Sequence, residues 1–169
     1  MINFKTIIRI IGILLLLETV MLLACSAISY YYNDEALLDF WKSAGITAGA
    51  GLLMAIAGKG GEKQLTRRDG YVLVSLAWVA FSLFGMLPFY ISGYVPDITN
   101  AFFETMSGFT STGATVLDNI ESLPHGLLFW RGMTQWIGGL GIIMFTIAVL
   151  PIFGVSGLQV FAAEASGPT

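Results

Sequence analysis

The sequence predicts an all-α membrane protein, and three observations carry that expectation. Hydrophobic residues make up 56% of the 169-residue chain and charged ones 11%, at a mean hydropathy of +0.78. A soluble domain carries about 25% charged residues, so a soluble globular enzyme is not expected. The apolar residues gather in four runs, each able to cross a hydrocarbon core, which takes roughly 20 helical residues. Glycine occurs 20 times, and membrane helices carry more glycine than soluble ones.

The first run, residues 7–32, follows Lys5 and Arg9 and ends at Asn33-Asp34-Glu35. The second, 36–57, holds Asp39 and Lys42 near its start and stops at Gly58-Lys59-Gly60-Gly61. Together they predict an N-terminal transmembrane hairpin over 1–58, followed by a basic loop over 59–70. The third run, 71–94, carries Pro88 near its end. The fourth, 127–153, holds the single charge Arg131, and its span is drawn from Pro124, over 124–153. A linker, 155–169, follows.

Residues 98–109 differ from these runs. As a helix they would be about 18 Å long, roughly half of a bilayer core. Phe102, Phe103, Met106 and Phe109 recur at helical spacing, and Asp97 stands where an N-cap belongs. A small polar stretch, Thr110-Ser111-Thr112-Gly113-Ala114-Thr115, comes next. A half-length helix running into extended polar chain between two spans reads as a re-entrant loop. Such backbone must line a cavity or be buried in protein. The alternative is an amphipathic helix lying on the outer surface.

Basic residues set the orientation. Lys5, Arg9, Lys59, Lys63, Arg67 and Arg68 mark one side; Asp34, Glu35, Asp39, Asp97, Asp118 and Glu121 mark the other, with Lys42 as an exception. Both termini are therefore expected in the cytoplasm, and the re-entrant loop enters from outside. Leu22-Leu23-Ala24-Cys25 looks like a lipoprotein cleavage site. Glu18 inside the apolar run, and the run's continuation past Cys25, argue against that reading.

Several function classes fall away. The net charge of −3 carries no nucleic-acid signature. One cysteine, Cys25, excludes an intrachain disulfide and a thiolate metal site. Ser107 and Ser111 have no base near them except the lone His125, and no HExxH or GxSxG is present. An enzyme is not expected, nor a cofactor.

The stretch Phe102-Phe103-Glu104-Thr105-Met106-Ser107-Gly108-Phe109-Thr110-Ser111-Thr112-Gly113-Ala114-Thr115-Val116 resembles the first pore loop of the TrkH potassium-uptake proteins, within the Trk/Ktr superfamily. Phe129-Trp130-Arg131-Gly132-Met133-Thr134-Gln135-Trp136-Ile137-Gly138-Gly139-Leu140-Gly141-Ile142 is similar to that family's helix after the loop, and residues 157–165 are similar to its link toward a next repeat. The resemblance implies a two-helix hairpin plus one span–pore helix–filter–span repeat, 71–154, with the filter at 110–115. It implies that Gly113 is the single filter glycine of this repeat, and that Ser111, Thr112, Gly113, Ala114 and Thr115 line the potassium path. Potassium would be transported substrate, and no other metal is implied. It further implies a location in the inner (plasma) membrane, three more pore repeats, a TrkA-like cytosolic nucleotide-binding regulatory subunit and a dimer of pore subunits. The chain is expected to be an N-terminal piece of a longer protein, four-copy assembly being the alternative. A non-conducting assembly piece and a sodium-permeable relative are the competing functions.

The chemistry agrees with that assignment. A potassium filter replaces the ion's hydration shell with carbonyl oxygens. Aiming them inward takes backbone angles that glycine adopts freely. The short helix turns its negative dipole end toward the ion.

Three ionisable residues lie in apolar surroundings: Glu18, Glu104 and Arg131. Each would cost roughly 2.5–3.5 kcal/mol at mid-bilayer if unpaired. Glu104 and Arg131 each lie seven residues past a segment start, at Asp97 and Pro124, thus about 10 Å deep. Equal depth and opposite charge predict an ion pair that ties the short helix to the fourth span as structural support, the alternative being that each points separately to water or the pore. Glu18 has no partner that the sequence names. Gly138, Gly139 and Gly141 predict a close helix contact, either beside the ion path or in ordinary packing.

Overall fold

The structure, a computed structural model, describes residues 3–60 and 67–149, with side chains placed through Gly141 in the last helix. Its elements are α1 (Phe4–Tyr31), α2 (Leu37–Ala57), α3 (Arg67–Gly85), α4 (Leu87–Ile91), α5 (Ile98–Phe109), a 3₁₀ turn (Ile120–Ser122) and α6 (His125–Val149). Among the described residues three stretches are long and apolar enough to cross a membrane: Phe4–Tyr31, Leu37–Ala57 and Arg68–Ile91. The 25 residues of α6 reach about 37 Å. This is an all-α membrane protein. The far end of the predicted fourth span, the 155–169 linker and residues 61–66 of the basic loop lie outside the described residues.

The first two helices form an antiparallel hairpin because small residues let their backbones meet. A Cβ on Gly12 would stand 2.7 Å from the Gly51 carbonyl oxygen, and one on Gly51 would stand 3.0 Å from the Gly12 oxygen. The Asn3 side chain caps α1 by accepting from the Thr6 N–H at 3.3 Å. Asn33, at φ +53°, makes the left-handed turn between the helices, a conformation asparagine tolerates better than most residues.

Hairpin and repeat are joined at both ends. At one end Asp69, buried at the start of α3, accepts from the Asn3 N–H at 2.9 Å. At the other, Asp34 Oδ2 accepts from the Gly126 N–H at 2.9 Å. This carboxylate, 92 positions away, satisfies an amide that the first turn of α6 leaves open. His125 Nδ1 lies 3.3 Å from Asp34 Oδ1, and the Tyr32 ring stacks on the imidazole at 4.1 Å. His125 is the first residue of α6.

The third span departs from its predicted bounds of 71–94. It begins at Arg67, breaks at Met86 and resumes as α4 through Ile91. Pro88 explains the break, since it has no N–H and its ring crowds the carbonyl four residues back. Gly93, at φ +78°, turns the chain toward α5. The main core gathers where α1, α2, α4, α5 and α6 meet, around Leu22, Cys25, Phe40, Phe89, Phe109 and Trp130. α1 runs unbroken through Cys25, which is fully buried. The Trp130 indole N–H donates to the Gly85 carbonyl at 2.8 Å, which gives the buried ring's polar atom a partner.

Candidate ion-filter loop

The half-length helix is where the sequence places it, at Ile98–Phe109. Asp97 Oδ1 accepts from the Asn100 N–H at 2.8 Å and caps its start. Its C-terminal end is set by contact with α6. A Cβ on Gly138 would collide with the Phe109 carbonyl oxygen, and one on Gly108 with the Thr134 hydroxyl. Gly139 faces the Ser111 hydroxyl, while Gly141 lies against the Trp78 ring. Of the three glycines, Gly138 and Gly139 therefore belong to the loop's seat and Gly141 to packing on α3.

Beyond Phe109 the chain turns back on the helix end. Thr110 N–H donates to the Met106 carbonyl at 2.9 Å, Ser111 N–H to Gly108 at 2.9 Å and Thr112 N–H to Ser107 at 3.0 Å. Ser111 stands at φ +54° and Gly113 at φ +75°, and Thr112 between them does not share the positive sign. Alternating backbone handedness turns successive peptide groups toward one side. Among the described residues no protein donor reaches the Ser111, Thr112 or Gly113 carbonyls. A left-handed Gly113 was legible from its residue type; a left-handed Ser111 was not, because serine rarely adopts it.

The loop's outer part is held by two side chains of α5. Ser107 Oγ donates to the Ala114 carbonyl at 2.6 Å. Glu104 Oε2 accepts from the Thr115 hydroxyl at 2.8 Å and the Val116 N–H at 3.0 Å. The other carboxylate oxygen, Oε1, accepts from Arg131 Nε at 2.8 Å. Glu104 is 1% exposed and Arg131 17%, so the pair is largely withdrawn from water. Three donors on one buried carboxylate offset much of its desolvation cost. Of the proposed filter residues, Ser111, Thr112 and Gly113 present free carbonyls together. Ala114 is anchored on α5 through its carbonyl and Thr115 through its hydroxyl.

Sequence reasoning gave Glu104 its partner on α6 but not its loop donors, and it weighed Ser107 only as a nucleophile. The available signal was their spacing: positions 104, 107 and 108 share one helix face. Glu18 is different. It is fully buried, and neither carboxylate oxygen has a hydrogen-bond partner among the described residues. A Cβ on Gly85 would stand 2.8 Å from its Oε1 and 2.9 Å from Thr105 Cγ2, so the carboxyl is wedged where α1, α3 and α5 meet. Among the described residues no three His, Cys, Asp or Glu side chains gather as a metal site.

Comparison with known proteins bears on the same segments. The model of the TrkH family, described as a cation transport protein, matches residues 40–169. The chain is 37% identical over 167 residues to the Trk system potassium uptake protein TrkH of Halomonas elongata, covering 98% of this chain and 35% of that protein. It is 39% identical over 168 residues to the protein of that name in Escherichia coli K12, covering 98% of this chain and 35% of that one. The crystal structure of the potassium transporter TrkH from Vibrio parahaemolyticus superposes with a TM-score of 0.84 at 37% identity, over 92% of this chain and 34% of that one. The chain thus spans about a third of the length of these relatives. The helix order, the half-length helix with its glycine-bearing loop, and these matches place the chain in the TrkH family of cation transport proteins.

Proposed function

We propose that this chain supplies one of four filter-lining repeats of a potassium-uptake pore in the plasma membrane. The observation that carries the reading is the left-handed turn at Ser111 and Gly113, whose carbonyls, with that of Thr112, no described donor reaches, at the C-terminal end of a half-length helix. Carbonyl dipoles in such a run exchange for the water around a dehydrating cation. The partial negative charge at the end of α5 adds to their field. Transport requires no bond making, only entry, dehydration and passage down the membrane potential, which contributes about 2.3 kcal/mol per charge per 100 mV.

The relatives bearing the potassium-uptake name support the choice of ion. The remaining filter walls come from three further repeats in a longer protein. Residues 1–58 serve as an anchoring hairpin, 59–70 as a cytoplasmic loop and 71–154 as the first pore repeat. Both termini of this stretch face the cytoplasm. A cytosolic nucleotide-binding subunit and a second pore subunit complete the system, and the chain carries no enzymatic activity.

The test is Gly113→Ser in the full-length transporter. The position is open, with no neighbour within 4 Å of an added Cβ, so folding is retained. Its φ of +75° disfavours any side chain, so the carbonyls shift and their field at the ion changes. Potassium and sodium fluxes in reconstituted vesicles, at matched protein abundance, are expected to show relaxed selectivity. Unchanged selectivity and rate would remove Gly113 from the filter.

A further inference from the structure

Hydroxyl groups on helices ordinarily return to their own backbone, and most in this protein do. Thr19, Ser43, Thr47, Thr105, Thr110 and Thr134 each donate to a carbonyl three or four residues back. Ser107 breaks the pattern. Its hydroxyl leaves α5 and donates to the Ala114 carbonyl, seven residues on, at 2.6 Å. The same residue's carbonyl accepts from the Thr112 N–H at 3.0 Å. Ser107 therefore grips the loop on both sides of Gly113. It is 5% exposed, so water is a poor substitute for its hydroxyl.

We propose that Ser107 is a specificity-determining residue that sets how many carbonyls this repeat lends to the ion path. A carbonyl aimed at the α5 hydroxyl points toward the supporting helix and away from the face on which the Ser111, Thr112 and Gly113 carbonyls are free. This repeat then lends the ion path one carbonyl fewer, and the outer ion position lacks an Ala114 oxygen. A site with fewer coordinating dipoles holds its ion less tightly, and conduction requires binding weak enough for the ion to leave. Ser107 acts through the Ala114 peptide and needs no contact with the ion. The inference rests on the filter reading above.

The experiment is potassium uptake by the full-length transporter in vesicles, read as KM for external potassium and as turnover, for Ser107→Ala and Ser107→Thr. Losing the hydroxyl frees the Ala114 carbonyl to join the outer site. Ser107→Ala is expected to lower KM about threefold or more, the scale of one net hydrogen bond, with turnover falling alongside. Ser107→Thr keeps the hydroxyl and should keep the wild-type KM. A merely structural serine would lower abundance or turnover at constant KM, and that result overturns the proposal. Where Ser107→Ala does not reach the membrane, Ser107→Cys replaces it. Its weaker donor should give an intermediate KM, and a wild-type KM overturns the proposal equally. Gly113→Ser in the same assay separates the two readings. If it leaves selectivity intact, the filter assignment and this inference fall together. If it relaxes selectivity while Ser107→Ala leaves KM unchanged, only the role of Ser107 falls.

Discussion

The pore-loop repeat and the N-terminal hairpin each bury one glutamate, and the two are built in opposite ways. Glu104 receives Arg131 on one oxygen and Thr115 and Val116 on the other. Glu18 receives nothing on either oxygen from the described residues. Burial alone therefore says little about what a carboxyl does. Glu104 is an organising group, because removing it frees a cation and two loop donors at once. Glu18 is a polar atom pair enclosed by Gly85 and Thr105, and within this stretch it organises nothing.

The largest expected effect lies in the repeat. Gly138→Leu forces a side chain into the Phe109 carbonyl, where backbone cannot move aside as a flexible side chain would. Overpacking ordinarily costs about 1–3 kcal/mol and occasionally more, and a clash with backbone that cannot yield exceeds that range. Full-length protein carrying it should be lost from the membrane or lose its thermal transition. Wild-type abundance and melting would mean that α6 does not press on the end of α5.

Breaking the ion pair comes next. Arg131→Met strands a carboxylate that is 1% exposed, at a cost of about 3–5 kcal/mol. Adding Glu104→Gln should recover part of that loss, because the amide oxygen still accepts from the loop while the stranded charge is gone. Thermal stability of both single variants and the double variant forms the cycle. Strictly additive losses would show that the pair is not coupled.

The smallest effect is expected at Glu18. Glu18→Met removes a buried polar group that has no partner, and such groups cost roughly 1–3 kcal/mol. Thermal stability should hold or rise, whereas Glu104→Met should lower it. Should Glu18→Met destabilise as strongly as Glu104→Met, the contrast between the two halves collapses, and Glu18 has a partner elsewhere in the longer protein.

Much of the fold was legible because it is local. Apolar run length marked the hairpin, the third span and α6. Helical spacing after Asp97 marked α5 from its first residue to its last. The misread bounds of the third span are local too: Pro88 was visible, and its lack of an N–H dictates a break before it. The Glu104–Arg131 pair was legible from depth, since two helices entering from one side bring equal depths together.

By itself the sequence determined that the chain is a bundle of membrane helices with a half-length helix and a polar glycine loop between two spans. Hydropathy, capping and residue type are properties of short segments, so no neighbour is needed to read them. Tertiary structure decided which loop carbonyls stay free, that Ser107 turns outward to Ala114, and that Gly138 lies against the end of α5. It also decided that Asp34 caps a helix 92 positions away. Each depends on placing backbones or side chains to within a fraction of an ångström, which no periodicity encodes, because hydrogen bonds weaken steeply once distance or angle slips.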